Sequence, residues 1–375
     1  METAVTVKVS ESALAAAAQQ RESLVEKMLG GMEGFVTHYT IYLGARLGYY
    51  DVLARHDDLN STELATLTGT NERYTREWLE QQAVFGILQV RDARAGARER
   101  RYALPAGHAE VLTEPDSLNY LAPFSRLLVG MARPIDELVA AFRSGKGVPY
   151  KSYGEDMREG QAGMNRATFL QELSQVWIPA MQGVHTRLQE PGARIADFGC
   201  GYGWSSIGMA KAFPQARIDG YDLDAPSIEQ ARKNAQAYGV NDRVNFEVRD
   251  VSSPELSGRY DLVTALECVH DMADPVGALR AMRRMVNGTG SVLVVDERVG
   301  ETFATQGEEN EMDWMMYGFS VLHCLPVGMA EQPSAATGTV MRPETLRKYA
   351  REAGFQEVEV LPVENFFFRL YRLIP

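Results

Sequence analysis

Cysteine is scarce in this 375-residue sequence: Cys200, Cys268 and Cys324 are the only three, far apart and without a CxxC pair. That excludes a disulfide framework and argues against a zinc ribbon, and it makes a reducing cytoplasm the expected setting. Long apolar runs are missing too. Although 45% of the residues are hydrophobic, no stretch is long enough to span a bilayer, so that apolar content is expected in globular cores. The opening METAVTVKVSESALAAAAQQRE has no basic region followed by a leucine-rich core, so no secretory leader is expected. Positive charge is in deficit: 38 Lys and Arg against 50 Asp and Glu give a net charge of −12. Such a surface is a poor general match for nucleic-acid phosphates. The length suits two domains, each able to bury a core.

Glycine is present in a telling place. Asp197-Phe198-Gly199-Cys200-Gly201-Tyr202-Gly203 follows the apolar run Ala193 to Ala196 and precedes a helical pattern over Trp204 to Phe213. It reads as strand, glycine turn and helix start, where missing Cβ atoms allow a sharp bend and close approach of a ligand to free N–H groups. A second strand, Arg217 to Asp222, ends in an acid placed to grip a ribose, while Asp224 before Ala225-Pro226 suits a helix cap. A third strand, Val244 to Val248, leads to Arg249-Asp250-Val251, and a fourth, Tyr260 to Leu266, leads to Glu267-Cys268-Val269-His270-Asp271.

From Ile195 to about Val299 this order resembles the class I S-adenosylmethionine-dependent methyltransferases, whose first motif is similar to DFGCGYG. The resemblance implies a Rossmann-like, seven-stranded α/β domain that binds S-adenosylmethionine. Gly199, Gly201 and Gly203 would pass beneath its methionine part, Asp197 would face its amino group, and Asp222 would hold the ribose hydroxyls. Asp250 and Val251 would flank the adenine, with Leu223 and Glu267 also among the cofactor contacts. A dinucleotide reading fits less well, since the spacing is GxGxG and not GxGxxG.

The first hundred residues have another character. A helical pattern over Arg21 to Leu47 carries small and aromatic residues suited to association. A capped helix, Asn60 to Gly69, then a longer one, Asn71 to Phe85, make a helix-turn-helix. Leu88 to Val90 and Arg101 to Leu104 could pair as a wing around Arg91, Arg94, Arg98 and Arg100. Alone, this mainly helical winged-helix module suggests a DNA-binding regulator whose second half senses a ligand. The acids Glu72, Glu77 and Glu80 on the would-be reading helix oppose that, and the layout is similar to small-molecule O-methyltransferases, which dimerise through such a domain. A homodimer without nucleic acid or membrane partners is therefore expected. The domain organisation follows: 1–114 helical and winged helix, 115–182 helical linker and substrate lid, 183–375 methyltransferase domain with a lid insertion at 301–340.

Pro115 to Met181 reads as helices broken at Pro123, Pro134, Pro149 and Pro179. Within the insertion, Glu308 to Gln332, the residues Met312, Trp314, Met315, Met316, Tyr317 and Phe319 crowd before His323. Gly318, Pro326 and Gly328 interrupt helical periodicity there, so an apolar wall for a small-molecule substrate is expected, with Trp314 and Met315 in it. Arg158 or Arg166 could fork onto a substrate carboxylate.

His270-Asp271-Met272-Ala273-Asp274 resembles the HDWxD stretch of O-methyltransferases, with Met272 in place of the tryptophan. The resemblance implies that His270 is a general base and that Glu297, after strand five, orients it; an imidazole titrating near ~6.5 suits that task. A second resemblance, to enzymes that methylate the carbon beside the carbonyl of a 2-oxo acid, implies a metal ion at His270, Asp271 and His323. Two imidazoles and a carboxylate suit Fe, Zn or Ni acting as a Lewis acid. Both chemistries remain open at this point.

Overall fold

Caps and alternation explain most of the element boundaries. The structure, a computed structural model, describes residues 11–305, 307 and 310–375. The residues before Glu11 and the start of the insertion at Glu308 lie outside these. Two compact units result, Met1–Thr113 and Glu114–Pro375.

In the first unit, α1 (Glu11–Arg46), α2 (Tyr49–Leu53), α3 (Ser61–Thr68) and α4 (Glu72–Val84) precede the short antiparallel pair β1 (Gln89–Val90) and β2 (Tyr102–Ala103), then α5 (Ala106–Thr113). Asn60 begins α3 with a capping box, its side chain accepting from the Thr62 and Glu63 amides while Glu63 accepts from the Asn60 amide. Gly69 ends it with φ 67°. Tyr50, Leu64, Trp78, Leu79 and Tyr102 form the core. Three of the four wing arginines are paired, Arg98 with Glu72, Arg100 with Glu80 and Arg91 with Asp58, which Arg101 also meets. Two of the acids on the would-be reading helix thus neutralise wing arginines.

The second unit opens with α6 (Ala122–Ala132), α7 (Ile135–Ser144), α8 (Gly154–Glu172) and α9 (Gln182–Leu188). Helices α6 and α8 touch backbone to backbone. A Cβ on Gly130 would come 2.5 Å from the Met157 nitrogen, and one on Gly160 2.4 Å from that of Leu127. The predicted proline breaks fall at element starts: Pro123 in the first turn of α6, Pro134 before α7, Pro149 before a 3₁₀ turn at 150–153.

The sheet comprises β3 (Arg194–Phe198), β4 (Arg217–Asp222), β5 (Val244–Val248), β6 (Tyr260–Leu266), β7 (Val286–Glu297), β8 (Glu357–Val360) and β9 (Phe368–Ile374). Its order is β5-β4-β3-β6-β7-β9-β8, parallel except for β9, which runs against both its neighbours. Alternate residues face opposite sides. Ile195, Ile218, Leu262 and Leu293 pack beneath α10 (Trp204–Ala212) and α11 (Ala225–Ala237); Ala196, Val263 and Val292 pack beneath α12 (Pro275–Met285) and α15 (Pro343–Ala353). Each fully buried Ile or Leu contributes roughly 1.5–3 kcal/mol. Between β7 and α15 lie α13 (Asp313–Phe319), a π-turn at Ser320–Cys324 and α14 (Leu325–Gly328). Contrary to expectation, Gly318 and Pro326 do not break this helical run: Gly318 lies inside α13, and Pro326 occupies the first turn of α14, where its missing N–H costs least. Among the described residues, no helix is long and apolar enough to cross a membrane.

Candidate active site

The carboxyl ends of β3, β4 and β6 open into a cavity of about 730 Å³ within the second unit. Its floor is the glycine turn. Gly199 (φ 68°) has no room for a Cβ, which would lie 2.7 Å from Cys268 Sγ, whereas a Cβ on Gly201 (φ 49°) would meet no protein atom within 4 Å. Gly201 therefore faces open space, and its amide donates to Asp222 Oδ2 at 2.9 Å. The Asp224 amide donates to Asp222 Oδ1 at 2.8 Å, so two backbone donors fix that carboxylate on the cavity wall. Burial raises its proton affinity, and the two amides oppose the rise. Leu223, Asp250 and Val251 line the cavity as well, Asp250 accepting from the Ser252 amide and hydroxyl.

Asp197 departs from its expected place. It is 1% exposed, lies off the cavity wall, and its carboxylate accepts from the Ser205, Ser206 and Thr264 hydroxyls at 2.6–2.7 Å. It braces the turn from behind rather than facing a ligand. Asp224 is the α11 cap as predicted, accepting from the Ser227 amide at 3.0 Å. It also receives the guanidinium fork of Arg158 at 2.7 and 2.8 Å, so Arg158, although on the wall, is not free for a substrate carboxylate. Arg166 is spent elsewhere, on Asp116, the Tyr238 hydroxyl and the Trp204 ring. Trp314 is 76% exposed, and neither it nor Met315 reaches the cavity. From the insertion, Val327 and residues 330–333 supply that wall instead.

His270 sits in a 3₁₀ turn, Val269–Asp271, directly after β6. The ring is 2% exposed and absent from the cavity wall. Its Nδ1 lies 2.8 Å from Asp296 Oδ1 and 3.2 Å from Glu297 Oε2, and its Nε2 lies 3.3 Å from Asp271 Oδ1. Burial opposes protonation, but Asp296, Glu297 and Asp271 outweigh it and hold the imidazole well above its ordinary value. Burial likewise pushes the Glu297 carboxyl up. The closest carboxylate partner is Asp296, which sequence reading passed over; an acid at an inward-facing position of an otherwise apolar strand was the available signal.

His323 does not join this cluster as a ligand. Ligand atoms of His270, Asp271 and Cys324 fall within 4.8 Å of one another, as do those of His270, Asp296 and Glu297, and His323 belongs to neither described group. Its Nδ1 lies 3.4 Å from Cys324 Sγ, its ring packs edge-on to Tyr153 at 4.7 Å, and burial lowers it to about 4. The expected ligand atoms of His270, Asp271 and His323 thus do not all fall within 4.8 Å of one another, although His323 Nε2 is buried without a hydrogen-bond partner. Burial also keeps the Cys324 thiol protonated, pushed up to about 12.

Sequence reading also missed one face of α8. Gln161, Asn165 and Phe169 follow Arg158 at three- and four-residue steps along the cavity, the helical period that could have revealed them. Tyr150 and Trp204 complete an aromatic wall.

Comparison with known proteins agrees with this construction. Residues 189–354 match the family described as Methyltransferase domain, and residues 36–114 that described as Rv2258c-like winged HTH domain. Over 116 residues the chain is 31% identical to a ubiquinone biosynthesis O-methyltransferase of Xanthomonas euvesicatoria pv. vesicatoria, covering 30% of this chain and 47% of that protein. The chain thus spans about half the length of that curated relative. Among solved structures, the mitomycin 7-O-methyltransferase MmcR superposes with a TM-score of 0.66 at 20% identity, over 96% of this chain and 99% of that one. PigF, solved with SAH, superposes with a TM-score of 0.69 at 18% identity, over 93% and 99%. At these identities the structural likeness speaks for the fold, and the two matches give its parts: the chain carries a methyltransferase domain over residues 189–354, with a winged helix-turn-helix domain ahead of it over residues 36–114.

Proposed function

We propose that the protein transfers the methyl group of S-adenosylmethionine to a hydroxyl oxygen of a small molecule held in the cavity of the second unit. The observation that carries this reading is that one cavity gathers two kinds of lining. Gly201, Asp222, Asp250 and Val251 suit a charged nucleoside, and Tyr150, Phe169 and Val327 suit an apolar body. In this reading the methionine part lies along Gly199–Gly203, the ribose hydroxyls donate to Asp222, and the adenine lies beside Leu223 and Val251. The sulfonium then faces the end of β6. His270, off the wall and bracketed by carboxylates, holds the turn 269–271 in place rather than touching the acceptor.

Metal-assisted methylation of a 2-oxo acid carbon at His270, Asp271 and His323 together has less support, because His323 lies outside both groups of ligand atoms. We further propose a homodimer formed through the first unit. Helix α1 exposes Met28, Met32 and Phe35 at 69%, 60% and 58%, spaced as one stripe. The three free cysteines suit a reducing, cytoplasmic setting. The test incubates the purified chain with S-adenosylmethionine and a panel of phenols and other hydroxylated aromatics, following S-adenosylhomocysteine release and oxygen-linked methyl groups. Methyl ethers without added metal are expected. Product carrying a new carbon–carbon bond, formed only with added divalent or ferric ion, would overturn the reading.

A further inference from the structure

An acceptor hydroxyl must lose a proton as it gains a methyl group, and a basic atom beside the transfer position must receive it. We propose that Glu267 is that base: its carboxylate takes the hydroxyl proton of the acceptor as the methyl arrives. The proposal rests on the cofactor placement above and on features of Glu267 that no structural need explains. It is the first residue beyond β6 and lines the cavity beside the glycine turn, where its neighbour Cys268 packs against Gly199. Its φ is 54°, a left-handed conformation that costs a bulky residue roughly 1–3 kcal/mol and that glycine would adopt freely. The strain is held by the surroundings, with the Glu267 amide donating to Val295 O at 2.8 Å. The residue is half-buried on the wall; Asn165 bonds its carboxylate from α8, and its Oε1, like Asp271 Oδ1, is enclosed by protein without a hydrogen-bond partner.

Five of the other six acids on the wall have partners, and the sixth, Glu331 of the insertion, is exposed. Asp222 accepts two amides, Asp250 accepts from Ser252, Asp224 receives the Arg158 fork, and Asp274 caps α12 through the Gly277 amide. Asp271 faces the His270 imidazole at 3.3 Å, which weakens it as a base. The groups around Glu267 are Asn165 from α8, His270 and Asp271 from the turn, and Asp296 from β7. Burial pushes the Glu267 carboxyl up to about 8, with Asp296 and Asp271 adding to the rise and His270 and the Asn165 hydrogen bond opposing it. A carboxylate of that basicity suits proton abstraction near neutral pH, and the sulfonium of a bound cofactor favours its ionised form. In the step, a lone pair of the acceptor oxygen forms the new O–CH₃ bond and the S–CH₃ bond breaks, leaving its electron pair on sulfur. The sulfonium becomes a neutral thioether, the hydroxyl proton passes to Glu267, and Glu267 releases it to solvent after product leaves.

Two cofactor analogues test this without a known acceptor. Sinefungin carries an amine where the methyl-bearing sulfonium stands, whereas S-adenosylhomocysteine has only a neutral sulfur there; both carry the same amino-acid end. The full-length protein is expected to favour sinefungin, and Glu267→Gln to cut that preference roughly 10- to 100-fold while S-adenosylhomocysteine affinity stays within about twofold. Calorimetry in buffers of differing ionisation enthalpy should also show protons released at pH 7 on binding sinefungin but not S-adenosylhomocysteine, an outcome readable on the unaltered protein should the variant not fold. Equal weakening of both ligands would assign Glu267 to the amino-acid end and overturn the proposal, as would equal proton release. Binding of neither ligand by the unaltered protein would overturn the cofactor reading itself.

Discussion

The ends of β4 and β6 each present a carboxylate to the same cavity, and they are built in opposite ways. Asp222 sits on ordinary extended backbone and is held by two amides, one two residues on and one from the glycine turn after β3. Glu267 sits on strained backbone with one oxygen unpartnered, among groups drawn from α8, the turn after β6 and β7. A satisfied, immobilised carboxylate suits recognition, since its remaining lone pairs are held in fixed directions. One with an unpartnered oxygen and a strong hold on protons suits chemistry, since its charge state responds to what enters.

The β6 edge can be broken from behind. His270 is the cation among Asp271, Asp296 and Glu297, and His270→Ala would leave Asp296, 1% exposed, without its 2.8 Å partner. A loss of about 3 kcal/mol or more in urea unfolding is expected; a variant as stable as the parent would show that the cluster is not held together by charge. A smaller, graded effect comes from pH. The proton affinities of His270 and Glu267 are both raised in the folded state, that of Glu267 to about 8, so the native protein holds protons the unfolded chain has released. Stability should therefore be highest in mild acid and fall as pH rises toward about 8. The fall should be shallower in Glu267→Gln, and thermal melts across that range read it; a melting temperature that rises with pH over the same window would contradict the charge assignment.

The same contrast separates what was legible in the sequence from what was not. Asp224 as cap and the boundaries of β4, β5 and β6 depend on neighbours a few residues away, and those relations are written in the local pattern, as is Asp222 as the acid that ends a strand. The roles given to Arg158, Arg166 and Trp314 depend on tertiary partners. Asp224 claims the Arg158 fork across 66 positions, Asp116 and Trp204 claim Arg166, and α13 turns Trp314 outward although its neighbours Asp313 and Met316 are buried. No spacing rule reports such pairings. His270 belongs to both classes: its motif marks the end of β6, but only the structure shows Asp296 behind it and the cavity wall in front of it without it. The strain at Glu267 was likewise invisible, because a glutamate after a strand carries no mark of positive φ.

The central claim is that this cavity holds S-adenosylmethionine with Asp222 on the ribose, and titration calorimetry with S-adenosylhomocysteine tests it most directly. One ligand per chain is expected, with affinity falling roughly 10- to 100-fold in Asp222→Ala while the melting temperature of the free protein changes little. No binding, or an affinity untouched by Asp222→Ala, would contradict it.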